Sequence, residues 1–132
     1  MIEMQTYVLQ DWVTIGTDTN VGGLTNIVQP AAGWLDLGEA SDALFFLEVA
    51  QVSASGTPKL YFETAPLRSA SLFKVCVTRN LAAGTSPVTD KVTLYNNPSV
   101  PLARWVRWRG FKDAGSGIWT ATIRAVVVAY PK

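Results

Sequence analysis

Histidine is absent from the 132 residues, and cysteine occurs once. The first absence removes the commonest general base, the usual triad member and the commonest metal ligand together. The second excludes an internal disulfide framework. Cys76 lies in the apolar run Leu72-Phe73-Lys74-Val75-Cys76-Val77. It reads as a small buried hydrophobe, with no neighbouring base in sequence to activate it. No phosphate-binding glycine loop, Cys/His cluster or nucleophile elbow is present. No apolar run approaches the ~18 residues of a membrane-spanning helix. Met1-Ile2-Glu3-Met4-Gln5 lacks the basic region and long apolar core of a signal peptide. The expectation is a non-enzymatic protein made in the cytoplasm, without cofactor, metal or membrane partner.

Charge is also scarce, at 16% of residues against 48% apolar, where about a quarter charged is usual. Either the chain is a small compact β-domain, or part of its surface is covered by other subunits. The length fits one domain over residues 1–132, which can bury about two thirds of its unfolded surface. The charges are unevenly placed. Residues 1–58 hold seven acids and no Lys or Arg, giving −7, and residues 59–132 hold eleven bases and three acids, giving +8. The two halves either mix their charges on one sandwich surface or form complementary patches between subunits. A pI near 7.8 falls short of a nucleic-acid-binding signature.

Strand patterns fill the chain. Residues 5–15 place Tyr7, Leu9, Val13 and Ile15 on one face, interrupted by Asp11. Short strands are expected at Leu24–Gln29 and Trp34–Leu37, with a turn at Gly38–Asp42. Ala43–Ser53 is apolar on both faces, as a central strand requires. Lys59–Ala65 alternates, with Leu60, Phe62 and Thr64 inside and Lys59, Tyr61 and Glu63 outside. The turn between these two segments predicts that they form a hairpin. Further strands are expected at Ser71–Thr78 and Val88–Tyr95, separated by a loop over Arg79–Pro87 and followed by an Asn96–Ser99 turn. Ile118–Tyr130 alternates most cleanly, with Trp119, Ala121, Ile123, Ala125, Val127 and Ala129 on one side. It is expected to form a hairpin with the strand before it, through the loop Asp113–Gly117. Its small-residue row Ala121, Ala125, Ala129 leaves room for a large side chain opposite, such as Trp105 or Phe62. About eight strands and no helix predict an all-β, antiparallel, jelly-roll-like sandwich.

Pro101–Gly110 has the most unusual pattern. Leu102, Arg104, Val106 and Trp108 take one face, and Ala103, Trp105, Arg107 and Arg109 the other. A strand with one wet face should not carry an indole on each side. The segment is therefore expected to be covered on both, by the core and by a neighbour. Arg104, Trp105, Arg107, Trp108 and Arg109 are the candidate interface residues. The alternative is carbohydrate binding, with Trp12 and Trp34 as candidate stacking surfaces for sugar rings. Filling a core and stacking on arginine are the competing roles for these indoles. The acids Asp18, Asp36, Glu39 and Asp42 could supply oxygen ligands to calcium, but their spacing matches no calcium loop.

From Leu44 onward, about two thirds of the chain, the order of segments resembles small β-sandwich structural proteins of tailed bacteriophages and phage-derived particles. The apolar strand Ala43–Val52 leads through a Ser/Gly/Thr/Pro turn to Phe62-Glu63-Thr64-Ala65-Pro66. The segment Pro101-Leu102-Ala103-Arg104-Trp105-Val106-Arg107-Trp108 then precedes the long strand Trp119–Ala129. The resemblance implies a head decoration or minor capsid protein at the particle surface. Such a protein forms a homo-oligomer, a trimer above all, and binds the major capsid or shell protein. Residues 1–40 carry none of the resemblance, and a segment contacting the shell or a neighbouring subunit would suit them.

Overall fold

In the segment starting at Trp119, the residues Trp119, Ala121, Ile123, Ala125, Val127 and Ala129 are buried, and those between them are half-buried. This is the period of two that a strand on a core requires. The computed structural model describes residues 4–16, 26–38, 40–54, 58–81, 88–92, 102–111 and 119–131, with backbone alone at 26, 41, 88–92 and 131. In chain order the strands are β1 (Gln5–Gly16), β2 (Asn26–Val28), β3 (Leu35–Asp36), β4 (Ala40–Ala54), β5 (Lys59–Ala65), β6 (Lys74–Asn80), β7 (Val88–Val92), β8 (Trp105–Phe111) and β9 (Trp119–Pro131). Two short 3-10 turns, Ala31–Gly33 and Ala70–Leu72, complete the described elements. Among the described residues no helix is long and apolar enough to cross a membrane.

The strands form two antiparallel sheets, in the orders β1-β9-β4-β7 and β2-β8-β5-β6, with β3 also on β8. β2 pairs with Arg109–Phe111 and β3 with Trp105–Val106, so the two share one edge position beside β8. That leaves eight strand positions. Apart from the steps β2 to β3 and β5 to β6, every consecutive pair of strands changes sheet, which is the jelly-roll arrangement. Residues 5–16, 26–28 and 35–36 are thus built into the sandwich as strands.

Both expected hairpins are absent. β4 lies between β9 and β7, and β5 between β8 and β6. Likewise β8 and β9 belong to different sheets. Each pair instead meets face to face across the core, where Phe45 of β4 and Phe62 of β5 stand 4.9 Å apart between ring centroids. A short apolar-to-apolar connection serves a crossing between layers as well as a turn within one, and burial favours the crossing. The 3-10 turn also takes over the expected start of the sixth strand, which begins at Lys74. Of the loop expected over Arg79–Pro87, Arg79 and Asn80 instead end β6, and residues 82–87, the expected Asn96–Ser99 turn and the expected 113–117 loop lie outside the described residues.

Register shifts in β1, between Val8 and Gln10 and between Gln10 and Val13, explain its irregular pattern. Such bulges turn a residue out of the ladder. Leu9 and Ile15 are buried and Tyr7 and Val13 pack against the core, while Asp11 faces solvent. At the end of β1, Gly16 has φ 142°, and a Cβ there would fall 2.0 Å from the Trp119 carbonyl oxygen. Only glycine permits that approach.

Trp108, Trp119, Phe45 and Phe62 are the largest fully buried side chains. Phe62 and the alanine row of β9 belong to the same buried core, where Phe62 packs on Phe45. Trp105 does not belong to it, because alternation puts it on the other side of β8, and Trp108 supplies the indole in the core. A single buried amide ties the layers to this point. Gln29 Nε2 donates to the carbonyls of Leu9 (2.8 Å) and Gly33 (2.9 Å), and Gln29 Oε1 accepts from the Trp108 backbone N–H (3.2 Å). Its four-residue neighbour must be small, since a Cβ on Gly33 would lie 2.6 Å from Nε2.

Cys76 is 8% exposed and donates to the Phe62 carbonyl at 3.3 Å. Burial pushes its thiol up to about 12, so the reactive thiolate is scarce at neutral pH. Iodoacetamide is expected to label folded protein at pH 8 no faster than the rate of global unfolding. Rapid labelling without denaturant would contradict the packing.

Candidate functional site

Alternation along β8 divides the five candidate interface residues. Val106, Trp108 and Gly110 point into the core, and Trp105, Arg107 and Arg109 point outward. Trp108 therefore leaves the group. Arg104 precedes the strand, with its side chain 58% exposed. The outward face of β5 meets β8 in register, Tyr61 opposite Arg109, Glu63 opposite Arg107 and Ala65 opposite Trp105.

Glu63 is the centre of this face. Its Oε1 accepts from Arg107 Nε at 2.9 Å and its Oε2 from Arg109 Nε at 3.0 Å. The side chains of Glu63 and Arg107 are 5% and 8% exposed, and that of Arg109 is 21%. Buried charges need such pairing. Aromatic rings cover the arginines. The Arg107 guanidinium carbon lies 4.1 Å from the Phe73 ring centroid and 5.1 Å from that of Trp34, while Arg109 lies 4.5 Å from Tyr61. Trp34 and Phe73 meet edge to face at 4.9 Å. The two 3-10 turns deliver these rings, because Trp34 follows one and Phe73 the other. Trp34 is fixed by its Nε1–H donating to the Gln29 carbonyl at 2.8 Å.

The second cover over this part of β8 is thus the chain's own Trp34 and Phe73, in place of the neighbour the sequence suggested. Further along the face, Arg68 lies 6.0 Å from Trp34 and 5.8 Å from Trp105, and Arg104 lies 5.9 Å from Trp105. These contacts hold flat cations on indole faces. Leu67 and Leu72 stand exposed beside them, at 64% and 38%.

Arg104 donates from Nε and an Nη to the two carboxylate oxygens of Asp36, both at 2.8 Å. The hydrogen bond from Arg104, then that from the Gly38 N–H, lowers Asp36 from 3.8 to about 2. A depressed carboxyl stabilises the fold fully above its unfolded value and loses that contribution as pH falls through its folded value. The stability difference between wild type and Asp36→Asn should therefore be constant above about pH 5 and shrink as pH falls through about 2. Acid titration of urea midpoints for the two proteins tests this. A difference that is as large at pH 2 as at pH 6 would contradict the assignment.

The two stacking candidates of the carbohydrate reading separate as well. Trp34 is half-buried beneath Arg68 and Arg107. Trp12, on β1, is 45% exposed, with the Arg124 guanidinium 5.3 Å from its ring. Arg124 also pairs with Glu48. Beside Trp12 lies an open depression of about 230 Å³ lined by Phe46, Glu48, Arg124 and Val126. It is part of a broad outer face of the β1-β9-β4-β7 sheet on which Leu44, Phe46, Val126 and Val128 are half-buried and Val8 is 61% exposed.

The sequence pattern does not single out Glu63, Arg68, Tyr61 or Phe73. A usable signal exists for Glu63: two arginines two residues apart on a strand with little water on either face require a carboxylate on the adjoining strand. Arg68 and Phe73 sit in irregular connections, where no period points to them. Among the described residues no group of three or more Asp, Glu or Cys side chains could hold a metal ion. Of the acids considered for calcium, Asp36 is engaged by Arg104, while Asp18 and Glu39 lie outside the described residues. The arginines here are clamped between carboxylates and rings, a chemistry suited to holding a surface rigid. Comparison with protein-family models, curated proteins and solved structures found no match for the chain.

Proposed function

We propose that this jelly-roll protein is a non-enzymatic structural component of a phage or phage-like particle, a capsid-associated decoration or minor virion protein. It works by self-association and by binding the shell protein at the particle surface. The observation that supports this reading is the outer face of the β1-β9-β4-β7 sheet. Its central strands, β4 and β9, need only their inner faces to build the core. They nevertheless present Leu44, Phe46, Val126 and Val128 outward, with Val8 and Trp12 exposed beside them. A monomer gains nothing from that apolar surface, and a subunit contact does. Light scattering on a sizing column is expected to give a mass that is a multiple of 14.3 kDa. A monomer at every concentration would overturn the proposal.

Carbohydrate binding is the second reading, and the exposure of Trp12 next to the Phe46–Val126 depression favours it. A depression below the ~300–1,000 Å³ of drug-sized sites suits one sugar ring. Quenching of tryptophan fluorescence by a glycan panel, lost in Trp12→Phe, is the expected outcome under this reading. No response to any glycan removes it.

A further inference from the structure

Among the described side chains, the charge imbalance between the halves of the sequence reappears as an imbalance between the two outer faces of the sandwich. On the outer face of the β1-β9-β4-β7 sheet, the charged side chains described are Asp11, Asp42 and Glu48 against Arg124, a balance of −2. On the outer face of the other sheet, Lys59, Arg68, Arg104, Arg107 and Arg109 stand against Asp36 and Glu63, a balance of +3. Internal pairs account for Glu48 with Arg124, Asp36 with Arg104, and Glu63 with its two arginines. Among the described side chains, what remains beyond those pairs is acidic on one face, at Asp11 and Asp42, and basic on the other, led by Arg68. Arg68 donates to the Ala31 carbonyl at 2.9 Å and has no carboxylate partner among the described residues.

Each face also carries exposed apolar side chains around this remaining charge. Val8 and Trp12 accompany the acids, and Leu67, Leu72 and the half-buried Trp105 accompany Arg68. Tryptophan and arginine in a partly apolar setting are the residues that dominate binding energy at protein contacts. Here the arginines are already ordered against rings, so less side-chain freedom is lost on binding. A two-fold contact would set each face against itself, acid on acid or base on base, and like charges across an interface are repulsive.

We infer that copies of this chain meet head to tail, the basic aromatic face around Arg68 and Trp105 of one copy on the acidic face around Asp11 and Trp12 of the next. The inference rests on the self-association proposed above and specifies its surfaces. The geometry has a consequence for symmetry. Heterologous contacts close into rings only if successive copies are rotated enough. The outer faces of a sandwich look in nearly opposite directions, whereas a ring of three needs contact faces at a sharp angle. This contact therefore builds an open series of oligomers, where the resemblance implies a closed trimer.

The test uses the full chain and two charge reversals at exposed positions, Arg68→Glu and Asp11→Lys, each checked for an unchanged thermal midpoint. Wild type is expected to show a mass that rises with protein concentration, and falls at about 1 M salt, where charges are screened beyond about 3 Å. Each variant alone should associate at least about tenfold more weakly. Mixed together, they should recover association, because each retains the one face that the other lacks and the two reversed side chains are themselves opposite in charge. If wild type assembles but either reversal leaves its mass unchanged, or if the mixture stays monomeric, the head-to-tail contact is wrong and self-association stands on other surfaces. An assembled mass that does not respond to salt would overturn the contact in the same way. A wild-type monomer at every concentration overturns both proposals.

Discussion

Glu63→Ala is expected to destabilise the fold by about 3–5 kcal/mol, the cost of leaving a buried charge without its partner. Two arginines donate to this one carboxylate, and Arg107 is 6% exposed under Phe73 and Trp34. Water cannot replace the lost acceptor without displacing those rings. The effect should appear as a lower urea midpoint with little change in slope. Glu63→Gln should lose less, since an amide oxygen still accepts one of the two hydrogen bonds. Replacing Glu63 and Arg107 together by apolar residues of similar volume should recover much of the loss, because two desolvation penalties disappear with the pair. A loss below about 1 kcal/mol for Glu63→Ala would mean that the face is wet and that the pair behaves like a surface ion pair.

Trp108→Ala is the other substitution with a large expected effect, about 3–5 kcal/mol for emptying an aromatic site in a packed core. The indole also donates from Nε1 to Gln10 Oε1 at 3.1 Å. Its removal takes a partner from an acceptor on β1, so the damage reaches across to the other sheet. Trp108→Phe separates the two contributions: it keeps most of the apolar contact and loses the hydrogen bond, so its cost should fall well below that of alanine. Equal losses for the two variants would show that the hydrogen bond to Gln10 matters more than ring volume. Unfolding followed by circular dichroism avoids the fluorescence change that removing a tryptophan brings.

Much of the sandwich is legible in the sequence because period-two alternation is a local property. The inner face of β9, the two-sided burial of β4 and the division of β5 can each be read from consecutive residues. Pairing is different. Whether β5 sits beside β4 or opposite it depends on which arrangement buries more apolar surface, and no residue in the connection encodes that. Asp11 shows the opposite case, a pattern that looks broken until the bulges in β1 restore it. At the candidate site, Arg104, Trp105, Arg107 and Arg109 stand out as an oddity of one strand. The partners that give them meaning come from other segments: Glu63 and Tyr61 from β5, Asp36 from β3, Trp34 and Phe73 from beside the two 3-10 turns, and Arg68 from the connection after β5. Gln29 is invisible in the sequence for the same reason. A glutamine closing a short expected strand gives no hint that its amide will bridge Leu9, Gly33 and Trp108.

The position of β9 constrains the order in which the polypeptide can fold. β9 lies between β1 and β4, with Gln5 opposite Ala129 and Ala43 also opposite Ala129. During synthesis, both earlier strands must wait for residues 119–131 to emerge from the ribosome. Until then, each lacks its ladder partner on that side, and such edges invite pairing with other chains. Closure of such distant contacts is slow, so these edges stand open for a long part of folding. Truncations that remove β9 should yield aggregates instead of a smaller folded domain.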